Sequence, residues 1–256
     1  MRRGLIYILS LFLSIQVFAQ KNKDLKIVYI GNSITQGALI EAPEVNAPPA
    51  QASQKIKEAN VFKSVSFSNQ GVSGNTTVDF LPISNKDFKN IVIAAEPFAK
   101  EKNGLLVFSI MLGTNDSAIS GPTGAPVSNK QYATNMKAII DELIYLYPKA
   151  KFILHRPLWY SPNTYNYGMY LEAGLKRVES YASELEDLVE LYKTRKPNQV
   201  FLGDTLAFNY FKTNFLDLFT PESGNAGIFY LHPNKKGAES LAQFWSNAIL
   251  NAAKTF

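Results

Sequence analysis

The 256-residue chain contains no cysteine. Disulfides, thiol nucleophiles and lipid attachment at an N-terminal cysteine are therefore excluded, and stability must come from a packed core. Histidine is nearly absent too. His155 and His232 are the only two, far apart and outside any short ligand pattern such as HExxH, so neither a metal nor another cofactor is expected. Excess positive charge is small: the formal net charge of +5 drops to +3 once Arg2 and Arg3 are removed with a leader. No basic stripe is interleaved with aromatics, which argues against a nucleic-acid partner. There is also no low-complexity linker, and a chain of this length with 46% hydrophobic residues can bury one sizeable core.

What is present begins with a leader-like N-terminus. Arg2 and Arg3 precede an apolar run over residues 5–18, and Val17-Phe18-Ala19 forms a small-residue cleavage signal before Gln20. This pattern predicts a signal peptide over 1–19 and a single domain over 20–256. The run is shorter than the roughly 20 residues a membrane span needs, so no stable membrane insertion is expected after cleavage. An exported protein, periplasmic or secreted, is the expectation.

Residues 26–37 read KIVYIGNSITQG. Their apolar run ends in Gly31-Asn32-Ser33, which puts a serine where a buried strand has to turn. Gly31 permits the turn, and the residues after Ser33 can open a helix whose first N–H groups face an anion. Taken alone, Asn-Ser after a strand is equally an ordinary turn and helix cap. Further strands are predicted over 61–68, 105–111, 151–154 and 199–202, with helices over 50–59, 130–147 and up to about 193. Residues 41–49, 117–128 and 158–170 read as loops rich in Pro, Gly, Ser or aromatics. Strands separated by helices imply right-handed crossovers and an α/β fold, with a parallel sheet covered on both faces. Active sites in such sheets lie beyond the carboxyl ends of the strands, and Ser33, Gly74 and Asn115 all fall there.

Three blocks follow Ser33 in order. They are Gly71-Val72-Ser73-Gly74-Asn75-Thr76 after the second strand, Gly113-Thr114-Asn115-Asp116 after the third, and His232-Pro233-Asn234 before the last helix. Over residues 26–250 the set resembles the SGNH subgroup of GDSL-type hydrolases, which are serine esterases. That resemblance implies a flavodoxin-like three-layer α/β/α sandwich with a central five-stranded parallel sheet. It also implies Ser33 as nucleophile, with Asn32 replacing the usual Asp. The oxyanion hole would comprise the N–H groups of Ser33 and Gly74 and the side-chain amide of Asn115. A serine hydroxyl is a weak nucleophile until a base takes its proton, and His232 is the available base because His155 is tied to a strand end among apolar residues. As bare residue types, Asn115 also fits a helix cap and Gly74 a turn.

One position departs from the family pattern. An Asp usually stands three residues before the catalytic His, and here that residue is Phe229. Orienting the imidazole then falls to Glu222, to Asp217 or to a backbone carbonyl. The alternative is a relative that binds glycans without catalysis.

Substrate signals are weaker. No long apolar flap is evident for a fatty acyl chain, whereas Trp159-Tyr160-Ser161-Pro162-Asn163-Thr164-Tyr165 combines aromatic faces with amides, a chemistry suited to a sugar. The expectation is removal of O-acetyl groups from a carbohydrate, with a small-molecule or glycan ester as substrate. The same aromatics would serve equally well packed against the long helix. His155 and Arg156, at a strand end, are placed in the same cleft, Arg156 pairing either with an acidic sugar or with a nearby carboxylate. Lipase- or thioesterase-like acyl hydrolysis and a metal-dependent phosphoesterase are the rival activities.

Overall fold

A computed structural model describes residues 21–84 and 86–256; the expected signal peptide over 1–19 lies outside the described residues. Five parallel strands form the central sheet: β1 (Asp24–Gly31), β2 (Ser64–Gly71), β3 (Gly104–Met111), β4 (Lys151–Leu154) and β5 (Val200–Leu202). Their spatial order is β2-β1-β3-β4-β5. The chain steps from β1 to β2 on one side and returns to β3 on the other, so the strand order reverses between β1 and β3. That switch point is where open α/β sheets form their crevice.

The helices are α1 (Ser33–Gln36), α2 (Pro43–Asn46), α3 (Pro48–Glu58), α4 (Phe88–Ala99), α5 (Asn129–Leu146), α6 (Leu171–Arg195), α7 (Ala207–Thr213), α8 (Phe215–Leu218) and α9 (Lys235–Ala253). On one face of the sheet Tyr29 of β1 stacks on Trp245 of α9, with ring centroids 5.9 Å apart, and its hydroxyl meets Ser53 of α3 at 3.2 Å. On the other face Phe108 of β3 stacks on Phe152 of β4 at 5.2 Å and meets Tyr147, whose hydroxyl donates to Val92 of α4 at 3.2 Å. Tyr132 of α5 and Tyr181 of α6 stack at 4.1 Å and close that layer. Stacked buried rings of this kind add about 0.5–1.5 kcal/mol per pair beyond the area they remove from water. The architecture is the expected three-layer α/β/α sandwich. Among the described residues no helix is long and apolar enough to cross a membrane.

Several boundaries differ from the sequence expectation. β2 begins at Ser64 rather than 61 and runs to Gly71, because it is an edge strand whose register is set by pairing Gly71 with Gly31, not by its apolar residues. The loop expected over 41–49 contains α2 and the start of α3, with prolines in their first turns, where a missing N–H costs nothing. α4 was not expected at all: its Ile91-Val92-Ile93 run and internal Pro97 oppose helix propensity, and packing against the sheet overrides them. An antiparallel hairpin, β6 (Phe219–Gly224) and β7 (Gly227–Pro233), precedes the last helix, in a stretch for which no strand was expected.

His155 belongs to the core and not to the cleft. Its exposure is 1%, its ring stacks on Trp245 at 5.1 Å, and the Asp204 N–H donates to Nδ1 at 3.0 Å. Nδ1 is thus an acceptor, which leaves the proton on Nε2 for Ser109 Oγ at 2.9 Å. Burial lowers its pKa to about 3. Between the ordinary value near 6.5 and about 3, the unfolded chain takes up a proton that the folded chain refuses, so this group favours unfolding as the pH falls. Thermal midpoints measured from pH 7 to 4 should fall more steeply for the wild type than for His155→Gln; parallel curves would show that His155 carries no such linkage.

Candidate active site

The site grows from the end of β1. A Cβ at Gly31 would lie 2.0 Å from Thr35 Oγ1 and 2.9 Å from the Met111 carbonyl, so only glycine lets the chain leave the sheet between α1 and β3. Asn32 caps α1, accepting from the Ile34 N–H at 3.0 Å. Ser33 is then the first helical residue, with an N–H that the helix itself leaves free, and the residue is buried, with 9% of its surface exposed.

His232, near the end of β7, brings Nε2 to 2.9 Å from Ser33 Oγ. On its other side both carboxylate oxygens of Glu222 lie 2.9 Å from Nδ1, and Oε1 also accepts the His232 backbone N–H at 3.1 Å. Glu222 sits in β6 directly opposite Phe229 in the hairpin register. The carboxylate missing from position 229 is therefore present on the neighbouring strand, while Phe229 is buried and packs at Gly224. Asp217 is elsewhere: its carboxylate meets Lys236 at 3.2 Å on the surface, and its carbonyl accepts from Asn234 at 2.9 Å. It does not reach His232, because α8 turns it toward α9 before the hairpin begins.

The loop after β2 is drawn to the same place. The Val72 N–H donates to the Gly31 carbonyl at 3.0 Å, and Gln36 Oε1 accepts from the Ser73 N–H at 3.0 Å and from its hydroxyl. Gly74 adopts φ +80°, and no atom lies within 4 Å of where its Cβ would stand. That conformation suits glycine and faces open space. After β3, Asn115 donates from Nδ2 to the Asn75 carbonyl at 2.8 Å and accepts from the Tyr170 hydroxyl at 2.6 Å on Oδ1. Asp116, fully buried, accepts the Thr77 N–H at 3.0 Å and the Thr77 hydroxyl, tying the same two loops together. Burial raises its carboxyl to about pKa 6, with the Thr77 hydrogen bonds acting against the rise.

Trp159 and Arg156 do not line the site as expected. Trp159 is 7% exposed and packs on Phe215 and Phe219 at 5.5 and 6.1 Å, so the aromatic loop is chiefly structural. The Arg156 guanidinium lies 3.8 Å from the centroid of Phe208 on α7, where desolvation lowers its pKa. Tyr170 and Gln36 were missed because a tyrosine or glutamine at a loop or helix end carries no pattern of its own. Among the described residues no group of three or more His, Asp or Glu is placed to hold a metal ion.

This arrangement can pass a proton from Ser33 to His232 against a carboxylate, beside N–H donors that have no other duty. The same fold recurs in solved structures at low identity. A carbohydrate esterase family 3 protein from Talaromyces cellulolyticus aligns with TM-score 0.61 at 17% identity, covering 91% of this chain and 99% of its own. Est24, a carbohydrate acetylesterase from Sinorhizobium meliloti, gives 0.57 at 14%, covering 88% and 98%. The native M. smegmatis aryl esterase gives 0.58 at 15%, covering 89% and 99%. No curated protein matches the sequence. The GDSL-like lipase/acylhydrolase family matches residues 29–239, a span that holds the serine block, the loops after β2 and β3 and the histidine, and the chain belongs to that family of carboxylic ester hydrolases.

Proposed function

We propose that the protein is an exported serine esterase that removes O-acetyl groups from carbohydrate, with Ser33 as nucleophile, His232 as general base and Glu222 as the acid that orients it. The unbroken contact from Ser33 Oγ through both nitrogens of His232 to Glu222, each step 2.9 Å, carries this reading. Ser33 Oγ attacks the ester carbonyl as its proton passes to His232 Nε2. Glu222 holds the proton on Nδ1 and stabilises the imidazolium. The tetrahedral oxyanion receives hydrogen bonds from the Ser33 and Gly74 N–H groups and from Asn115, each such donor contributing about 100- to 1000-fold to turnover. The imidazolium protonates the departing sugar alkoxide, leaving acetyl-Ser33, and water activated by His232 then releases acetate.

A carbohydrate ester is supported by the names of two structural neighbours, the acetyl group by that of Est24 alone, and export by the leader-like residues 1–19. Trp159 no longer contributes to that choice. Steady-state hydrolysis of 4-nitrophenyl acetate and octanoate by protein recovered from the exported fraction, whose N-terminus should be Gln20, tests the reading. The acetate ester should turn over at least about tenfold faster in kcat/KM, since one missing methylene already changes discrimination by about 10-fold or more in a shaped pocket. Acetate release from O-acetylated xylan or pectin should follow. Faster octanoate hydrolysis would reassign the substrate to longer acyl chains, and retention of residues 1–19 in intact protein would remove export.

A further inference from the structure

Tyr170 closes the aromatic loop, immediately before α6. Its ring is 3% exposed and meets Tyr160 edge-on at 5.3 Å. Tyr160 in turn meets Ser117 Oγ at 2.8 Å, and the Ser117 hydroxyl donates to the Thr114 carbonyl at 2.7 Å. Two phenols from one loop therefore grip the turn that carries Asn115. Backbone bonds add to the grip: the Ile119 N–H reaches the Met169 carbonyl at 2.6 Å and the Met169 N–H reaches the Ser120 carbonyl at 3.0 Å. Next to Tyr170, Leu171 is held at φ +51°, a left-handed conformation that a leucine rarely adopts. The surroundings maintain that strain where the Tyr170 ring has to enter.

The Asn115 amide has one allowed orientation. The Asn75 carbonyl can only accept, so it must face Nδ2, and Oδ1 must face the Tyr170 hydroxyl, which donates to it at 2.6 Å. Nδ2 carries a second hydrogen that neither partner uses. Resting on the esterase reading above, we propose that Tyr170 is a positioning residue for the oxyanion hole: its hydroxyl locks the Asn115 amide so that the spare N–H stays aimed at the developing oxyanion. A hydrogen bond to Oδ1 also draws charge toward the carbonyl and makes that N–H a better donor. Burial raises the phenol well above its ordinary pKa, with Asp116 and Glu222 adding to the rise, so the donor persists at any working pH.

Tyr170→Phe removes the hydroxyl and keeps the ring. With 4-nitrophenyl acetate, kcat should fall about tenfold while KM stays within about twofold, because the lost interaction matters chiefly in the transition state. In an Asn115→Ala background the same substitution should change kcat by less than about twofold, since the group it positions is already gone. 3-Fluorotyrosine at position 170, which keeps a donor of nearly the same size, should restore wild-type kcat. An equal loss of kcat in both backgrounds, unchanged kcat in Tyr170→Phe, or an unfolded Tyr170→Phe protein by circular dichroism each overturns the assignment, the last by making the hydroxyl structural. A wild-type protein inactive on esters would instead defeat the esterase reading. Active wild type and inactive Ser33→Ala, together with a fully active Tyr170→Phe, defeat only the role of Tyr170.

Discussion

Ser33→Ala should lower kcat for 4-nitrophenyl acetate by at least about 10⁴-fold, with a thermal midpoint close to that of the wild type. The serine touches one partner of consequence, His232 Nε2 at 2.9 Å, so its hydroxyl contributes chemistry and little packing. Intact-mass measurement during turnover should show an acetyl adduct on the wild type and none on the variant. His232→Ala should fall by a comparable factor, and the double variant should be no worse than either single one, because nucleophile and base act as a unit. Residual activity within tenfold of the wild type in Ser33→Ala would move the nucleophile elsewhere.

Glu222→Gln should lower kcat by about 10²- to 10⁴-fold and leave KM nearly unchanged. The substitution keeps the side chain's length and an acceptor for the His232 backbone N–H, now at 3.1 Å from Oε1. It removes the negative charge that stabilises the imidazolium, and its amide can present an N–H to Nδ1 and stabilise the wrong tautomer. Asp217→Asn, with its carboxylate 3.2 Å from Lys236 on the surface, should stay within about twofold of wild type. The pair of variants separates an oriented triad from a Ser-His dyad held by a carbonyl. Full activity in Glu222→Gln would favour the dyad.

Local pattern made much of the sandwich readable. β1 and β3 are mostly apolar, in runs over 27–30 and 105–108, as strands buried on both faces tend to be, and β4 coincides with its expected bounds. The edge strand β2 alternates polar residues and was misplaced by a few positions. The hairpin was invisible because β6 contains Pro221 and a register irregularity, and its stability comes from neighbours distant in sequence. Among these are Ser161, whose N–H donates to the Tyr230 carbonyl at 2.9 Å, and Asn163, whose side-chain amide donates to the Ile228 carbonyl at 2.7 Å. The loop expected to bind sugar spends its polar groups holding that hairpin.

Composition by itself excluded cysteine chemistry, and the order of the four blocks carried the family resemblance, and with it the candidate roles of Ser33, Gly74 and Asn115, because a resemblance of this kind depends on residue identity at fixed points along the chain. Which carboxylate faces His232 was decided only by tertiary structure. Glu222 and Asp217 look equivalent along the chain, and the antiparallel register places one opposite Phe229 while α8 turns the other toward Lys236. The same holds for His155, buried under Trp245, and for Tyr170, brought to Asn115 across 55 residues of sequence. A side chain's protonation and direction are set by what packs around it, and in this fold those neighbours come from other strands and loops.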